Sequence, residues 1–370
     1  MSVIVAARRT WLAVAGRGHA TVDETVLAAA ALTAAARDAA PGPGPDAVDD
    51  VVLGNAAGHG GNVARRAALA AGLAAPGVTV DRQCASGLAA VAVGAALVDS
   101  GQARTVLAGG VESGSRAPSR AHGPLAYERA SFAPPPWADP GPGLAADRLA
   151  RARGIGRERQ HAWAVRSHAR VRAAHSAGRF APETLRVGGL SRDEHARPLD
   201  PRVLDRLPGA FGADGTVTAA SAAPSGDGAA AVVLVREDAR GALPGLRVRS
   251  AATCGVDPAW PMLGPVAAVR AVCSRAGVPL EAVAAVELVE AFAAQAIAVT
   301  DDLGVGDDPR WNADGGTLGL GHPFGASGAV AVVRLFTRLV TAGAPAGTVG
   351  LATAAAAGGT GVALLVEVVR

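Results

Sequence analysis

The chain has 370 residues, of which half are hydrophobic and 18% charged, and its formal net charge is +3. This length suits a large core and at least two domains. The sequence contains no lysine, so all 35 basic residues are arginines. A lysine Schiff base, a pyridoxal phosphate lysine and a Walker A loop are therefore excluded. Aromatic residues make up only 3% of the chain, which argues against platforms that stack nucleic-acid bases.

Alternating strand and helix patterns run through the first 110 residues. They predict strands and helices in the order strand 2–7, helix 23–38, strand 51–55, helix 62–73, strand 78–80, helix 85–99 and strand 104–110. This rhythm is typical of a largely parallel sheet with helices on both faces.

The alternation stops in a segment rich in proline and glycine, residues 119–145, which is followed by a charged helical stretch over 147–177. It then resumes to the end of the chain. The later predicted elements are strand 227–237, strand 246–252, helix 262–276, strand 285–289, helix 291–303, helix 326–341, and strands 347–353 and 360–368. Two similar α/β halves around an insertion suggest a duplicated core.

Positive charge is concentrated in residues 119–210, which hold 16 arginines against nine acidic residues. A basic segment suggests an anionic partner. The sequence shows no nucleic-acid recognition motif, so a phosphorylated small molecule is the better candidate. A solvated basic surface is the simpler alternative and stays open.

The three cysteines, Cys84, Cys254 and Cys273, have no disulfide or metal spacing, and we expect no metal site. The N-terminal "MSVIVAARRT" is strand-like and lacks the apolar run of a signal peptide. The longest apolar stretch, around 88–98, is about half a membrane span. We therefore expect a soluble cytoplasmic protein without a membrane span.

Two short stretches hold the residue types of nucleophilic catalysis. In "VDRQCASGLAAV" (80–91), Cys84 lies between a strand and an apolar helix, where the helix start favours a thiolate. In "GGTLGLGHPFGASGA" (315–329), His322 lies in a glycine-rich loop before a helix and is a candidate base. A buried inert cysteine and a structural histidine are the alternatives when each stretch is taken alone. Glu112, in "LAGGVESGSRAP", and Glu290, in "EAFAAQ", each end a strand, and Glu290 is a candidate N-terminal helix carboxylate.

Taken together, these blocks resemble the thiolase family over nearly the whole chain. "NAAGHGGNVARRAALAAGL", "GADGTVTAASAAPSGDGAAAVVL" and "GGTGVALLVE" accompany the blocks above in the family's order and spacing. The resemblance implies a thiolase fold, an α/β architecture with two duplicated halves, a five-layer α-β-α-β-α core and an inserted loop domain. It places the N-terminal half at 1–118 plus about 211–242, the loop domain at 119–210 and the C-terminal half at 243–370.

The resemblance also implies roles for individual residues. Cys84 takes an acyl group from a coenzyme A thioester, His322 activates it, and the backbone N–H groups of Cys84 and Gly358 or Gly359 form an oxyanion hole. Ser221, Phe292 and Phe324 are candidate substrate contacts. Coenzyme A enters as part of the substrate, no resident cofactor is expected, and the basic loop domain would bind its phosphates. A homodimer or homotetramer is expected, with no nucleic-acid partner.

Three positions depart from the family pattern. Ala355 stands where the family has the cysteine that acts as acid/base in the second step, and Val289 stands where an asparagine holds a water near a thioester oxygen. Ala223 replaces a serine that contacts the pantetheine. The condensation machinery is therefore damaged, whereas the acylation machinery is kept.

Three functions remain open on the sequence. The first is an acyltransferase that loads Cys84, from coenzyme A or an acyl carrier, and passes the acyl group to an acceptor without abstraction of an α-proton. The second is an ordinary acetyl-CoA C-acyltransferase with a substitute base. The third is a non-catalytic acyl-CoA-binding subunit of a hetero-oligomer.

Overall fold

The computed structural model describes residues 1–39, 47–127, 129–212 and 214–370. The strands in these ranges are β1 (Ser2–Thr10), β2 (Ala13–Val14), β3 (Asp50–Gly54), β4 (Gly77–Val80), β5 (Thr105–Ser113), β6 (Arg120–His122), β7 (Leu125–Tyr127), β8 (Thr184–Leu185), β9 (Gly226–Arg236), β10 (Gly245–Gly255), β11 (Ala285–Leu288), β12 (Val349–Ala356) and β13 (Thr360–Val369). The helices are α1 (Glu24–Asp38), α2 (Val63–Ala70), α3 (Ser86–Asp99), α4 (Pro142–Ala152), α5 (Arg157–Ser176), α6 (Pro201–Leu204), α7 (Gly264–Ala276), α8 (Ala293–Asp302), α9 (Thr317–Leu320) and α10 (Phe324–Leu335).

Strand pairing shows the duplication that the rhythm of the sequence suggested. The large sheet has the order β11-β12-β13-β10-β1-β9-β5-β3-β4. In the N-terminal half β3 and β5 are parallel, and β5–β9 and β9–β1 are antiparallel. In the C-terminal half β11 and β12 are parallel, and β12–β13 and β13–β10 are antiparallel. The halves join through β1 and β10, so the predicted α/β fold with two duplicated halves is confirmed.

Helices form three layers around the two parts of the sheet. Helices α3 and α10 pack on each other and contact strands of both halves, so they form the central layer. Helices α1 and α2 cover the outer face of the N-terminal strands. Helices α7 and α8 cover the outer face of the C-terminal strands. The result is the five-layer α-β-α-β-α core that was expected.

The most apolar long helix is α10 with its π-helical continuation Phe336–Thr341. Together they form an 18-residue stretch long and apolar enough to cross a membrane, but 78% of it is buried inside the protein. Its apolar character therefore suits the central layer, where both faces of a helix meet a sheet. This stretch is longer than the 88–98 segment picked out from the sequence.

The segment between β5 and β9 is anchored to the core by buried charges. Arg9 of β1 donates to Glu183 and Asp193 of this segment, at 2.7 Å in each case. Arg334 of α10 also pairs with Glu183. Burial alone would raise the pKa of Asp193, but Arg9 holds it at about 2. Removal of one partner from such a buried pair typically costs about 3–5 kcal/mol. The segment is thereby held against the helix that follows His322.

The helical stretch predicted over 147–177 is two helices, α4 and α5. They are separated around Gly154, which has a φ of +63°. The backbone there leaves the right-handed helical region, and glycine accepts this at little cost. The domain boundaries near 118, 210 and 242 stay a prediction.

Candidate active site

Cys84 lies in a tight turn that leads into the central helix α3. The turn is a short 3₁₀ helix, Gln83–Ala85, and Gln83 has a φ of +49°, which is uncommon for a residue with a side chain. The Oδ1 atom of Asp81 accepts from the Gln83 N–H at 2.8 Å, and the Ser86 hydroxyl donates to the Gln83 carbonyl at 2.6 Å. These bonds hold the half-buried thiol at the start of the helix.

The helix start does not make Cys84 acidic. Burial raises the pKa of the Cys84 thiol to about 12, and the negative charge of Glu112 contributes in the same direction. The hydrogen bond from the backbone lowers it, but by less than burial raises it. The sequence-based expectation of a favoured thiolate is therefore wrong, and the thiol needs a base to react near neutral pH.

His322 has the protonation pattern of such a base. The Ser327 hydroxyl donates to the Pro323 carbonyl at 2.9 Å, so its oxygen is left to accept from the Nδ1–H of His322 at 2.7 Å. This bond leaves Nε2 unprotonated. Nε2 is buried and has no hydrogen-bond partner among the described residues. Burial also lowers the pKa of His322 to about 4, so the ring is neutral near pH 7.

Glycines allow the backbone near Cys84 to lie directly against the backbone near His322. A Cβ atom at Gly87, in the first turn of α3, would lie 2.6 Å from the carbonyl oxygen of Gly325, in the first turn of α10. A Cβ at Gly110 of β5 would lie 2.0 Å from the same oxygen. A side chain at Gly87 would push α3 away from α10, and a side chain at Gly110 would push β5 away from α10. The two glycines therefore permit this close contact.

The Ser221–Ser225 segment connects His322 to the strand-helix junction at Phe292. The Pro224 carbonyl accepts from the His322 N–H at 2.9 Å, and Ala222 forms an antiparallel bridge with Phe292. Ala223 is therefore near His322, and its side chain has no hydroxyl. The Ser221 hydroxyl accepts from the Thr218 N–H at 2.9 Å, which occupies it inside the protein. The Ser221 hydroxyl therefore bonds within the protein, which does not support the candidate contact with a substrate.

Ala355 and Val289 are buried apolar side chains, 8% and 3% exposed. Strand β12 continues through Ala354, Ala355 and Ala356, beyond its predicted end at 353. The pairing of Ala355 with Gly361 on β13 accounts for this extension, because tertiary pairing overrides the weak strand preference of alanine. Neither side chain can accept a proton.

Cys254 does not fill the gap that Ala355 leaves. Gly361 pairs with Ala355 on one side and with Cys254 on the other, so all three positions face the same side of the sheet. Two strand spacings, about 10 Å, separate the outer two. The backbone of Gly264 lies directly over Gly361, where a Cβ would be 2.0 Å from the Gly264 oxygen. This backbone separates the Cys254 thiol from Ala355.

The turn after β12 supplies backbone donors. Gly358 and Gly359 have φ of +79° and +78°, in the left-handed region that favours glycine. Strand β12 contacts the Gln83–Ala85 turn. In the described ranges, the Gly358 N–H makes no hydrogen bond with the protein, whereas the Cys84 N–H interacts with the Cys84 sulfur. The Gly358 N–H is therefore free to bind an oxyanion.

The Glu290 carboxylate is committed to another part of the molecule. It accepts from Trp163 at 3.0 Å, Ser167 at 2.7 Å and Asn312 at 2.8 Å. These contacts attach α5 to the C-terminal half. Helix α8 begins later, with Phe292 as its N-cap, so the interpretation of Glu290 as a helix-terminal carboxylate is wrong.

Two cavities border the site. One of about 720 Å³ is lined by Gln83, Phe324, Ala56 and Ala57 among others, and the Phe324 ring packs edge-on against His322. Another, of about 960 Å³, borders Pro224 and is lined by four arginines: Arg17, Arg172, Arg192 and Arg197.

Arg17 lies outside the basic segment and was missed from charge counting. Ser327 was also missed, because nothing in "GASG" marks a residue that orients a histidine.

In the part of the chain that the structure describes, no group of three or more His, Cys, Asp or Glu side chains could hold a metal ion.

Known proteins match both halves of this chain. The family model of the thiolase N-terminal domain matches residues 2–238, and that of the thiolase C-terminal domain matches residues 243–368. The chain is 39% identical over 331 residues to "Putative acetyl-CoA C-acetyltransferase YhfS" of Bacillus subtilis, covering 87% of this chain and 88% of that protein. It is 38% identical over 341 residues to "Putative acetyl-CoA C-acetyltransferase VraB" of Staphylococcus haemolyticus, covering 87% of each.

A solved structure extends the agreement to three dimensions. The crystal structure of the Bacillus anthracis acetyl-CoA acetyltransferase superposes with a TM-score of 0.90 at 32% identity, covering 100% of this chain and 98% of that one. The chain belongs to the thiolase family.

Proposed function

We propose that this protein is an acyltransferase that forms an acyl-Cys84 thioester from an acyl-CoA or acyl-carrier donor. Nε2 of His322 takes the thiol proton as the sulfur attacks the thioester carbonyl. The N–H groups of Cys84 and Gly358 bind the oxyanion of the tetrahedral intermediate. Collapse of the intermediate expels the donor thiolate, which takes the proton from the imidazolium. The unpartnered, unprotonated Nε2 is the observation that supports this proposal most directly.

The second half of the reaction differs from a two-cysteine Claisen condensation or thiolysis. With Ala355 and Val289 at the site, no side chain at these positions can remove a proton from the α-carbon of an incoming thioester. The acceptor is therefore one that needs no such step: an amine, an alcohol, an activated carbon, or a malonyl unit that loses CO₂. The position of Cys254 disfavours the alternative with a substitute base.

The arginine-lined cavity is the proposed site for the phosphates of the donor. In the described ranges, the guanidinium groups of Arg17, Arg172 and Arg192 form no ion pair. Unpaired guanidinium groups that line one cavity favour a polyanion, such as the phosphates of coenzyme A or of a carrier-bound phosphopantetheine. Pro224, which accepts from the His322 N–H, borders the same cavity and connects it to the active site.

We also propose a homodimer formed through β4, with a homotetramer as the larger alternative. Strand β4 is an end strand of the sheet, and Val78 on it is 43% exposed. Free strand edges pair readily with another chain. Light scattering at micromolar concentration should give at least twice the chain mass of 36.5 kDa. A monomer alone would contradict this proposal.

Intact-protein mass after incubation with a panel of acyl-CoAs and acyl carriers tests the proposed function. We expect an acyl adduct on the peptide that contains Cys84, absent from Cys84→Ala and retained in Cys254→Ala, which removes another half-buried thiol. If no donor labels the protein, or if Cys84→Ala labels equally, the enzyme proposal fails and a non-catalytic subunit is left.

A further inference from the structure

Glu112 is a buried carboxylate at the end of β5 without an ion-pair partner among the described residues. Its Oε2 atom accepts from the N–H groups of Ala56 at 3.1 Å and Gly325 at 2.9 Å. Its Oε1 atom accepts from Asn55 Nδ2 at 3.1 Å and from the Ala57 N–H at 3.2 Å. The side chain is 0% exposed, and its hydrogen bonds offset part of the cost of burying its charge.

These four donors come from both halves of the molecule. Gly325 lies in the first turn of α10, three residues after His322. Ala56 and Ala57 line the cavity that also borders Gln83, the residue before Cys84. One carboxylate therefore positions both the helix that follows the base and the wall beside the nucleophile.

We propose that Glu112 is a positioning residue of acyl transfer, whose buried carboxylate fixes the backbone beside Cys84 and the helix that follows His322 relative to each other. The inference rests on the proposed role of Cys84. Burial is the larger reason that Cys84 stays a neutral thiol, and the negative charge of Glu112 adds to it.

Other charges near this group bear on the pH dependence. Glu24 of α1 is buried, and its Oε2 lies 3.4 Å from Asn55 Nδ2. Burial raises the pKa of Glu112 to about 7, and its backbone hydrogen bonds act in the opposite direction. The remaining charged or titratable groups are Arg66 and His59 beside Glu24, Arg120 beside the Ala56 carbonyl, and Asp81 beside Cys84.

The pH profile of Cys84 alkylation by iodoacetamide, read from the mass of its peptide, tests the charge effect. Glu112→Gln preserves volume and removes the charge, so we expect the profile to shift to lower pH, with ~3- to 10-fold faster alkylation at pH 8. Asp81→Asn is the matched control, and it should shift the profile less, because Asp81 is the weaker influence on the thiol. A Glu112→Gln profile equal to that of the unmodified protein would overturn this charge effect.

Glu112→Asp keeps the negative charge but shortens the side chain, so it distinguishes the effect of the charge from that of the hydrogen bonds. It also provides a test if Glu112→Gln does not fold. The shorter side chain keeps its charge, so the alkylation profile should stay near that of the unmodified protein. Acylation by the best donor should slow by ~10-fold, because the backbone N–H groups are no longer held together. A profile shifted as far as that expected for Glu112→Gln, or undiminished acylation, would contradict the proposal. Alkylation needs no acyl donor, so failure of acyl-CoA labelling alone would refute only the proposed function.

Discussion

The turn before α3 and the turn between β12 and β13 meet at the site and differ in what they offer. The first holds Cys84, a thiol for which His322 is the proposed base. The second keeps the backbone of a functional turn, with Gly358 and Gly359 at positive φ, but has the apolar Ala355 beside it. In the proposed function, the second turn offers oxyanion donors but no acid/base, because backbone geometry and side-chain chemistry are separate requirements.

Removal of His322 should abolish most of the acylation at Cys84, in the first of these two turns. His322→Ala should slow acylation of Cys84 by ~10²–10⁴-fold, the usual contribution of a positioned base. His122→Ala, at an exposed position in the β6–β7 hairpin, is the control and should acylate normally. Rapid-quench mass spectrometry gives both rates. Equal rates in His322→Ala and the unmodified protein would show that another group takes the thiol proton.

The backbone of the second turn should matter even though its side chain is inert. Gly359→Ala places a Cβ 2.3 Å from the Val256 oxygen at a φ of +78°, so we expect a loss of about 2–3 kcal/mol in the free energy of unfolding. Gly343→Ala has a φ of +79° with open space around it and should lose about 1 kcal/mol. Denaturant unfolding measures both. Equal losses would mean that the contact with Val256 contributes nothing.

Introducing a cysteine at Ala355 and an asparagine at Val289 should give the second turn the acid/base chemistry that it lacks. Ala355→Cys combined with Val289→Asn should raise thiolysis of acetoacetyl-CoA by ~10-fold or more, since an acid/base and an amide are then both present. Each single variant serves as a control and should gain less. Release of acetyl-CoA reports the reaction. No gain in the double variant would mean that these two positions do not explain the missing second step.

The smallest effect is expected at the arginine-lined cavity. Arg17→Ala with Arg192→Ala should raise the donor KM ~3- to 10-fold and leave kcat unchanged, because the phosphates are far from the reacting bond. The difference should shrink at high salt. Arg236→Ala, an exposed arginine paired with Asp238, is the control. A fall in kcat with constant KM would contradict this assignment.

Local patterns in the sequence predicted most of the fold. Hydrophobic alternation marked β1, α3 and β13 to within a few residues, since these elements are continuous and mostly buried. The end of β12 was missed because its alanines become strand only through pairing with β13. Cys84 and His322 were identified from their motifs. The pKa of Cys84, the contacts of Glu290 and the orienting role of Ser327 depend on residues distant along the chain or on side-chain geometry, which local patterns do not encode.

Parallel assay of the unmodified protein tests the central claim most directly. One sample with acetyl-CoA or the best acyl donor is examined for the Cys84 adduct, and another is assayed for thiolysis of acetoacetyl-CoA with free coenzyme A. We expect an adduct on Cys84 and thiolysis far below the ~10 s⁻¹ of a typical enzyme. Thiolysis near ~10 s⁻¹ would show that another group supplies the second proton transfer, and the contrast between the two turns would be wrong.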